Sequence, residues 1–256
     1  MFGEIHGTKE APLLFGQQAS ALAAQNQRVL IAVELGAIYN RQVQKAWNGP
    51  HATFEQSLTA AGWAGGRDGT KSVAMLEMLS RLHRLKEYGA RLSVVAFNGA
   101  RDDAQASRLK TLSSAAGHEE AQAENIIDAA NADNFDYVLV LVGNAHARKK
   151  EIDRFGDQYR PMAMLLERAG KTVSLNMAWS SGTAWNCILK AGVRPPPKKP
   201  VTTDMLNCGN QPEAGQTNRD NLPYMSLGRL PEDTDGDSFD GYFWLGTISG
   251  SPPARP

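Results

Sequence analysis

Two short units set a histidine three residues after a glycine: Gly3-Glu4-Ile5-His6 near the start, and Gly143-Asn144-Ala145-His146 far downstream. Each closes an apolar stretch, so each reads as the carboxyl end of a buried strand. A third run, Arg28-Val-Leu-Ile-Ala-Val-Glu34, ends on a carboxylate. Two imidazoles with two carboxylates can orient and deprotonate water. A neutral histidine is a base near pH 7, and a neighbouring carboxylate fixes its tautomer and stabilises its cation. The same side chains could instead hold a divalent metal through nitrogen and oxygen. Glu4, His6, Glu34 and His146 are therefore the catalytic candidates, with His6, Glu34 and His146 as the candidate metal set.

These residues need elements that bring them to one edge. Apolar runs predict strands over 28–34, 92–97, 136–142, 172–178 and 242–248, the fifth less apolar and placed nearer an edge of its sheet. Helical patterns fall between them: from Pro12 to Ala23, 37–47, 51–61, 72–88, 102–113, 118–130 and 161–170. The clearest is 72–88, where Val73, Leu76, Leu79, Leu82 and Leu85 form one stripe and Gly89 supplies the stop. Alternation of this kind predicts an α/β fold with a mainly parallel central sheet flanked by helices. The pattern weakens after Trp179. Residues 190–238, with the proline-rich segment 194–200, read as a loop-rich excursion inside a single domain spanning 1–256.

In open parallel sheets ligands bind beyond the carboxyl ends of the strands. The polar residues predicted there are Glu4, His6, Glu34, Asn98 with Arg101 and Asp102, then Asn144 and His146. Trp179 follows the fifth strand and is expected at the rim, as a candidate wall for a cofactor. Other signals point away from chemistry. Asp233-Thr-Asp-Gly-Asp237 starts like a calcium loop but lacks the glycine and glutamate that an EF-hand needs further on. His51 and His83 lie within helical patterns and read as structural or solvent-facing. No serine sits in a Gly-x-Ser-x-Gly elbow, and there is no His-Glu-x-x-His.

Lys plus Arg and Asp plus Glu are both 27, leaving no net charge to attract nucleic acid or an anionic membrane. No apolar run reaches the roughly 18 residues of a membrane span, and no signal peptide is recognisable. Met1-Phe2 is a short lead-in to a strand, which is compatible with a longer natural N-terminus. The two cysteines, Cys187 and Cys208, lie in the loop-rich third. They read either as one disulfide stapling that region or as two free thiols.

The paired Gly-x-x-His units and the glutamate closing the 28–34 run resemble a superfamily that joins erythromycin-esterase-like, Tiki, TraB-type and ChaN-like haem-iron uptake proteins. The wording is most similar to the ChaN-like branch: Gly3-Glu-Ile-His-Gly-Thr8, Ile31-Ala-Val-Glu-Leu35, Asp68-Gly69, Gly143-Asn-Ala-His-Ala147 and Pro161-Met162. Trp185-Asn-Cys187 and the stretch from Asp240-Gly-Tyr-Phe to Ser251-Pro-Pro253 extend the likeness over nearly the whole chain. It implies an α/β fold with a site at Glu4, His6, Glu34 and His146. Where the family often carries an Arg-Asp pair before the fourth strand, this chain has His118-Glu119.

In the esterase branch the resemblance implies water activation to open a macrolactone, and in the Tiki branch a metal-dependent peptidase. In the ChaN branch it implies haem held by His6 or His146, with Trp179 nearby. The expectation taken forward is a hydrolase acting on an ester or amide of a small molecule or peptide, with a divalent metal as a possible aid. Haem or iron binding without catalysis is the alternative. The resemblance, with the cysteines, favours a periplasmic or secreted location.

Overall fold

The computed structural model describes residues 1–63, 69–154, 157–194, 201–216, 222–230, 233 and 235–254. Asp68 of the Asp68-Gly69 phrase and most of the proline-rich segment lie outside the described residues. The strands are β1 (Phe2–Glu4), β2 (Val29–Gly36), β3 (Leu92–Asn98), β4 (Tyr137–Gly143), β5 (Ile152–Arg154) and β6 (Asp157–Tyr159). They continue with β7 (Leu175–Ala178), β8 (Ser181–Leu189), β9 (Leu206–Ala214), β10 (Tyr224–Leu227), β11 (Gly241–Trp244) and β12 (Thr247–Ile248). The α-helices are α1 (Glu10–Ala24), α2 (Asn40–Trp47), α3 (Phe54–Leu58), α4 (Val73–Glu87), α5 (Asp103–Leu109), α6 (Ser114–Asn131) and α7 (Met162–Leu166).

Seven strands form the central sheet in the order β10-β11-β7-β1-β4-β2-β3. All neighbours run parallel except β10, which pairs antiparallel with β11 at one edge. The side-chain period of two sends alternate residues of each strand to opposite faces. Val29, Ile31 and Val33 pack under α1 to α4, with Phe15, Trp47, Phe54 and Leu79. Leu30 and Ala32 pack on the other face, against Ala123 and Ile126 of α6 and Met162 and Leu166 of α7. Helices on both faces explain why the strands read as continuous apolar runs rather than alternating ones.

The mainly parallel α/β architecture matches the expectation, with differences at particular elements. β7 lies between β11 and β1 rather than at an edge. Its modest apolarity reflects Asn176, whose amide donates to Asp233 Oδ2 (3.1 Å). The run 242–248 is two strands in two sheets, β11 and β12. The 190–238 stretch, expected to be loop-rich, carries β9 and β10, and a second sheet of order β12-β8-β9 stands beside the first. β9 mostly alternates between partly buried and exposed residues, and β8 is mostly partly buried or exposed, so neither gives a core-strand signal. Cys187 and Cys208 face each other across this hairpin and form a disulfide. Gly117, which separated two predicted helices, lies inside α6, which begins four residues earlier behind the N-cap hydroxyl of Ser113.

The second sheet is tied to the turn that follows β1. The Gly7 carbonyl accepts hydrogen bonds from Trp185 N–H (2.8 Å) and Ser251 N–H (2.7 Å). Gly7 has φ +80°, and a Cβ there would sit 2.1 Å from the Trp185 carbonyl oxygen. Only glycine fits both the left-handed backbone and the crossing strand. Gly7→Ala is expected to cost about 2 kcal/mol or more of unfolding free energy, through strain and the displaced β8 backbone. Urea unfolding monitored by tryptophan fluorescence measures it, and an unchanged midpoint would count against this junction.

Candidate active site

β1, β4 and β2 are adjacent in the sheet, and their carboxyl ends deliver Glu4, Gly143 and Glu34 to one edge. His6 lies two residues past β1, and His146 three past β4 in a turn whose own N–H donates to Gly143 O (3.0 Å). The four sequence-predicted residues come together here. His6 Nδ1 lies 3.0 Å from Glu4 Oε1, and His6 Nε2 lies 3.4 Å from Glu34 Oε2. Glu34 Oε1 is 3.9 Å from His146 Nε2. Glu34 also accepts a hydrogen bond from Gly143 N–H (2.7 Å).

A fifth member extends the set. Glu119, on α6, places Oε1 2.6 Å from His146 Nδ1 and takes the Met162 N–H on Oε2 (2.7 Å). The result is an alternating chain, Glu4–His6–Glu34–His146–Glu119. Each histidine gives Nδ1 to its own carboxylate and turns Nε2 toward the shared Glu34. Gly143 makes room for the first ring, because a Cβ there would lie 3.0 Å from His6 Nε2.

Electrostatics follow from this alternation. Burial works against a charged His6, but the Glu34 carboxylate, then the hydrogen bonds to Glu34 and Glu4, outweigh it and raise its pKa well above the ordinary 6.5. Burial likewise opposes the Glu34 anion, yet the positive charges of His6 and His146 and the Gly143 N–H hold it down at about 2. His146 is also raised: burial disfavours its cation, and Glu119 and then Glu34 more than compensate. Glu4 is raised because it is buried, with His6 only partly offsetting the loss of water. Its second oxygen has no hydrogen-bond partner among the described residues.

His118 stands next to His146, ring centres 5.8 Å apart and tilted 46°. Desolvation and the charge on His146 keep its pKa below the ordinary value. It lines a small cavity of about 220 Å³ with Lys110, Ser114 and Gly117. A larger groove of about 710 Å³ lies between α1 and α4 and includes none of the site residues.

Other predicted residues have local duties. Asp102 caps α5 by accepting the Gln105 N–H (2.7 Å), and Arg101 pairs with Asp128. Asn98 and Asn144 end or follow strands at this edge, and only the backbone of Asn144 joins the site region, donating to Glu4 O (2.9 Å). Trp179 follows β7 and packs against the core beneath α1 to α4, with its indole N–H unpaired. No hydrogen bond or ring contact joins it to His6 or His146 among the described residues.

The fit of a cofactor can be judged from the donors. In the set His6, Glu34 and His146 both Nε2 atoms face the Glu34 carboxylate, at 3.4 and 3.9 Å. Among the described residues no group of three or more His, Cys, Asp or Glu side chains is arranged to hold a metal ion. His6 has a carboxylate within 3.4 Å of each nitrogen, while His146 Nε2 stands 3.9 Å from Glu34. Paired in this way, the rings are arranged for proton transfer.

In the sequence Glu119 stands out only as half of the His118-Glu119 pair and is not placed among the site residues. It lies in a polar helix, where it and Gln122 are both buried among alanines.

No family model and no curated protein matches this sequence. Solved structures share its fold at low identity. A succinoglycan biosynthesis protein superposes with a TM-score of 0.63 at 10% identity, covering 98% of this chain and 88% of that one. An erythromycin esterase, EreC, in the open conformation of a histidine-to-asparagine mutant, gives 0.62 at 12% identity, covering 95% and 88%. A protein from Bacillus cereus gives 0.59 at 12%, covering 98% and 89%. The chain therefore has the fold of erythromycin esterase.

The titration of this cluster is directly measurable. By ring-proton NMR, His6 and His146 should titrate above pH 6.5 and His118 below it. Glu34→Gln removes the anion that raises His6 most and should move the His6 midpoint down; an unmoved midpoint would break the assigned contact. Because the Glu34 pKa is depressed, its contribution to stability is present above about pH 4.5 and fades as pH falls toward 2. That loss should be absent from Glu34→Gln.

Proposed function

We propose that the protein is a hydrolase in which His6 activates water against an ester or amide carbonyl. The observation that carries this reading is the alternating chain of three carboxylates and two imidazoles at the carboxyl edge of the sheet. Its parts divide the work. Glu4 holds His6 Nδ1–H, which leaves Nε2 as the proton-accepting face. His6 rests as a cation mainly through Glu34, and a water seated at Nε2 would stand between them and weaken that support. The His146 pKa is raised mainly by Glu119, on its far nitrogen, and that support stays in place when the site is occupied.

The steps follow from that asymmetry. His6, having lost its proton, takes one from water as the oxygen attacks the carbonyl carbon. His146 offers its imidazolium N–H to the oxyanion that forms, while Glu34 orients both rings. As the carbon–heteroatom bond breaks, His6 returns the proton to the leaving alcohol or amine. The products are an acid and that alcohol or amine. One neighbour in fold carries the name erythromycin esterase, which makes esters, including macrolactones, the first substrate class to try.

A panel of nitrophenyl esters, an anilide and a macrolactone tests the reading. His6→Ala should lose roughly 10²–10⁴-fold in kcat/KM with unchanged circular dichroism. Wild-type kcat/KM should climb on the alkaline side of pH 6.5 as His6 sheds its proton, and Glu34→Gln should shift that limb to lower pH. Undiminished hydrolysis by His6→Ala would remove the proposal. Activity that survives dialysis against a chelator agrees with proton transfer rather than metal assistance.

A further inference from the structure

Away from this site, a second pair of histidines forms a hydrogen-bonded series with a fixed direction. His83, on α4, is wholly buried, with Nε2 3.0 Å from the Trp47 carbonyl at the end of α2. Its Nδ1 faces His51 Nδ1 at 3.1 Å, and His51 Nε2 lies 3.1 Å from Arg84 Nε. The Phe54 ring stacks on His83 at 4.2 Å, and Trp47 meets it edge-on at 5.3 Å.

The partners dictate where every proton sits. A carbonyl only accepts, so His83 Nε2 carries hydrogen. A guanidinium only donates, so His51 Nε2 is bare. With one hydrogen per neutral ring, His51 Nδ1–H must donate to a bare His83 Nδ1. The series runs Arg84→His51→His83→Trp47 carbonyl. A further proton on His83 Nδ1 would confront the His51 N–H, so that two donors meet in a buried setting.

The surrounding charges reinforce this. Lys86 also donates to the Trp47 carbonyl (2.8 Å), so a cation already stands there, and Arg84 is a second. Among the described residues Glu87 is the anion that acts on His83, and one of its oxygens accepts the His51 backbone N–H. Burial, then Lys86 and His51, hold the His83 pKa below the ordinary value against the pull of the Trp47 bond and Glu87.

We propose that His51 and His83 form an acid-released latch that clips the α2–α3 segment to α4 at neutral pH and lets it go in mild acid. Stability from a base whose folded pKa is depressed is present above about 6.5 and is lost as pH falls through the folded value. The released segment begins at the turn after β2, a few residues beyond Glu34. Acid would thus loosen one flank of the site without acting on His6 or His146.

Hydrogen–deuterium exchange of the full chain tests this at pH 7.5 and 5.5, with rates corrected for intrinsic pH dependence. Amides of 44–61 should lose protection at pH 5.5, up to the about tenfold that one pH unit below the ordinary histidine pKa allows. Those of β1, β2 and β4 should hold theirs. His51→Asn supplies an amide that turns to donate to neutral His83 or to accept from charged His83. That variant should keep the segment protected at pH 5.5. The proposal is overturned by equal protection at both pH values in wild type. It is equally overturned by the same acid loss in His51→Asn, or by loss spread uniformly over the whole chain.

Discussion

One carboxylate shared by two imidazoles is the constraint on which the rest of this structure depends. Glu34 is stripped of most of its water, and an ionised carboxylate in that position is tolerable only with cations or donors on both oxygens. His6, His146 and the Gly143 N–H supply them. Each imidazolium then needs an anion on its far side, which Glu4 and Glu119 provide. Removing any one member leaves a neighbouring charge uncompensated. Each charge in the chain is therefore set by its neighbours on either side.

Placing that unit takes a parallel sheet with a particular strand order. β1, β4 and β2 are contiguous although β3 separates two of them in sequence, so residues 4, 34 and 143 arrive side by side without any long loop. Apolar side chains fix the strands on both faces, which sets their register and therefore the height of each carboxyl end. The second sheet then clamps the turn carrying His6 through the Gly7 carbonyl. Polar function at the edge is thus bought with apolar packing beneath it.

Much of this was legible in the residues. The strands announced themselves because burial on both faces demands unbroken apolar runs, and four of the five site residues stood at their ends. Glu119 did not, because a glutamate in a polar helix looks solvated until its neighbours are known to bury it. The β8–β9 hairpin escaped for the complementary reason: it is held by backbone pairing and a disulfide, neither of which needs an apolar pattern. His51 and His83 were read as structural or solvent-facing. His83 is buried as a structural residue should be, but its paired tautomers follow only from the partners that meet each nitrogen.

The Gly7 carbonyl has a consequence for the order of events during synthesis. It bonds to residues 185 and 251, so the peptide that carries His6 gains its full set of anchors only once residues far along the described chain are available. A nascent chain emerging amino end first would expose its first histidine early yet lack the neighbours that aim it. The turn that carries His6 is thus held from two distant parts of the chain, and it takes its folded form only when both are in place.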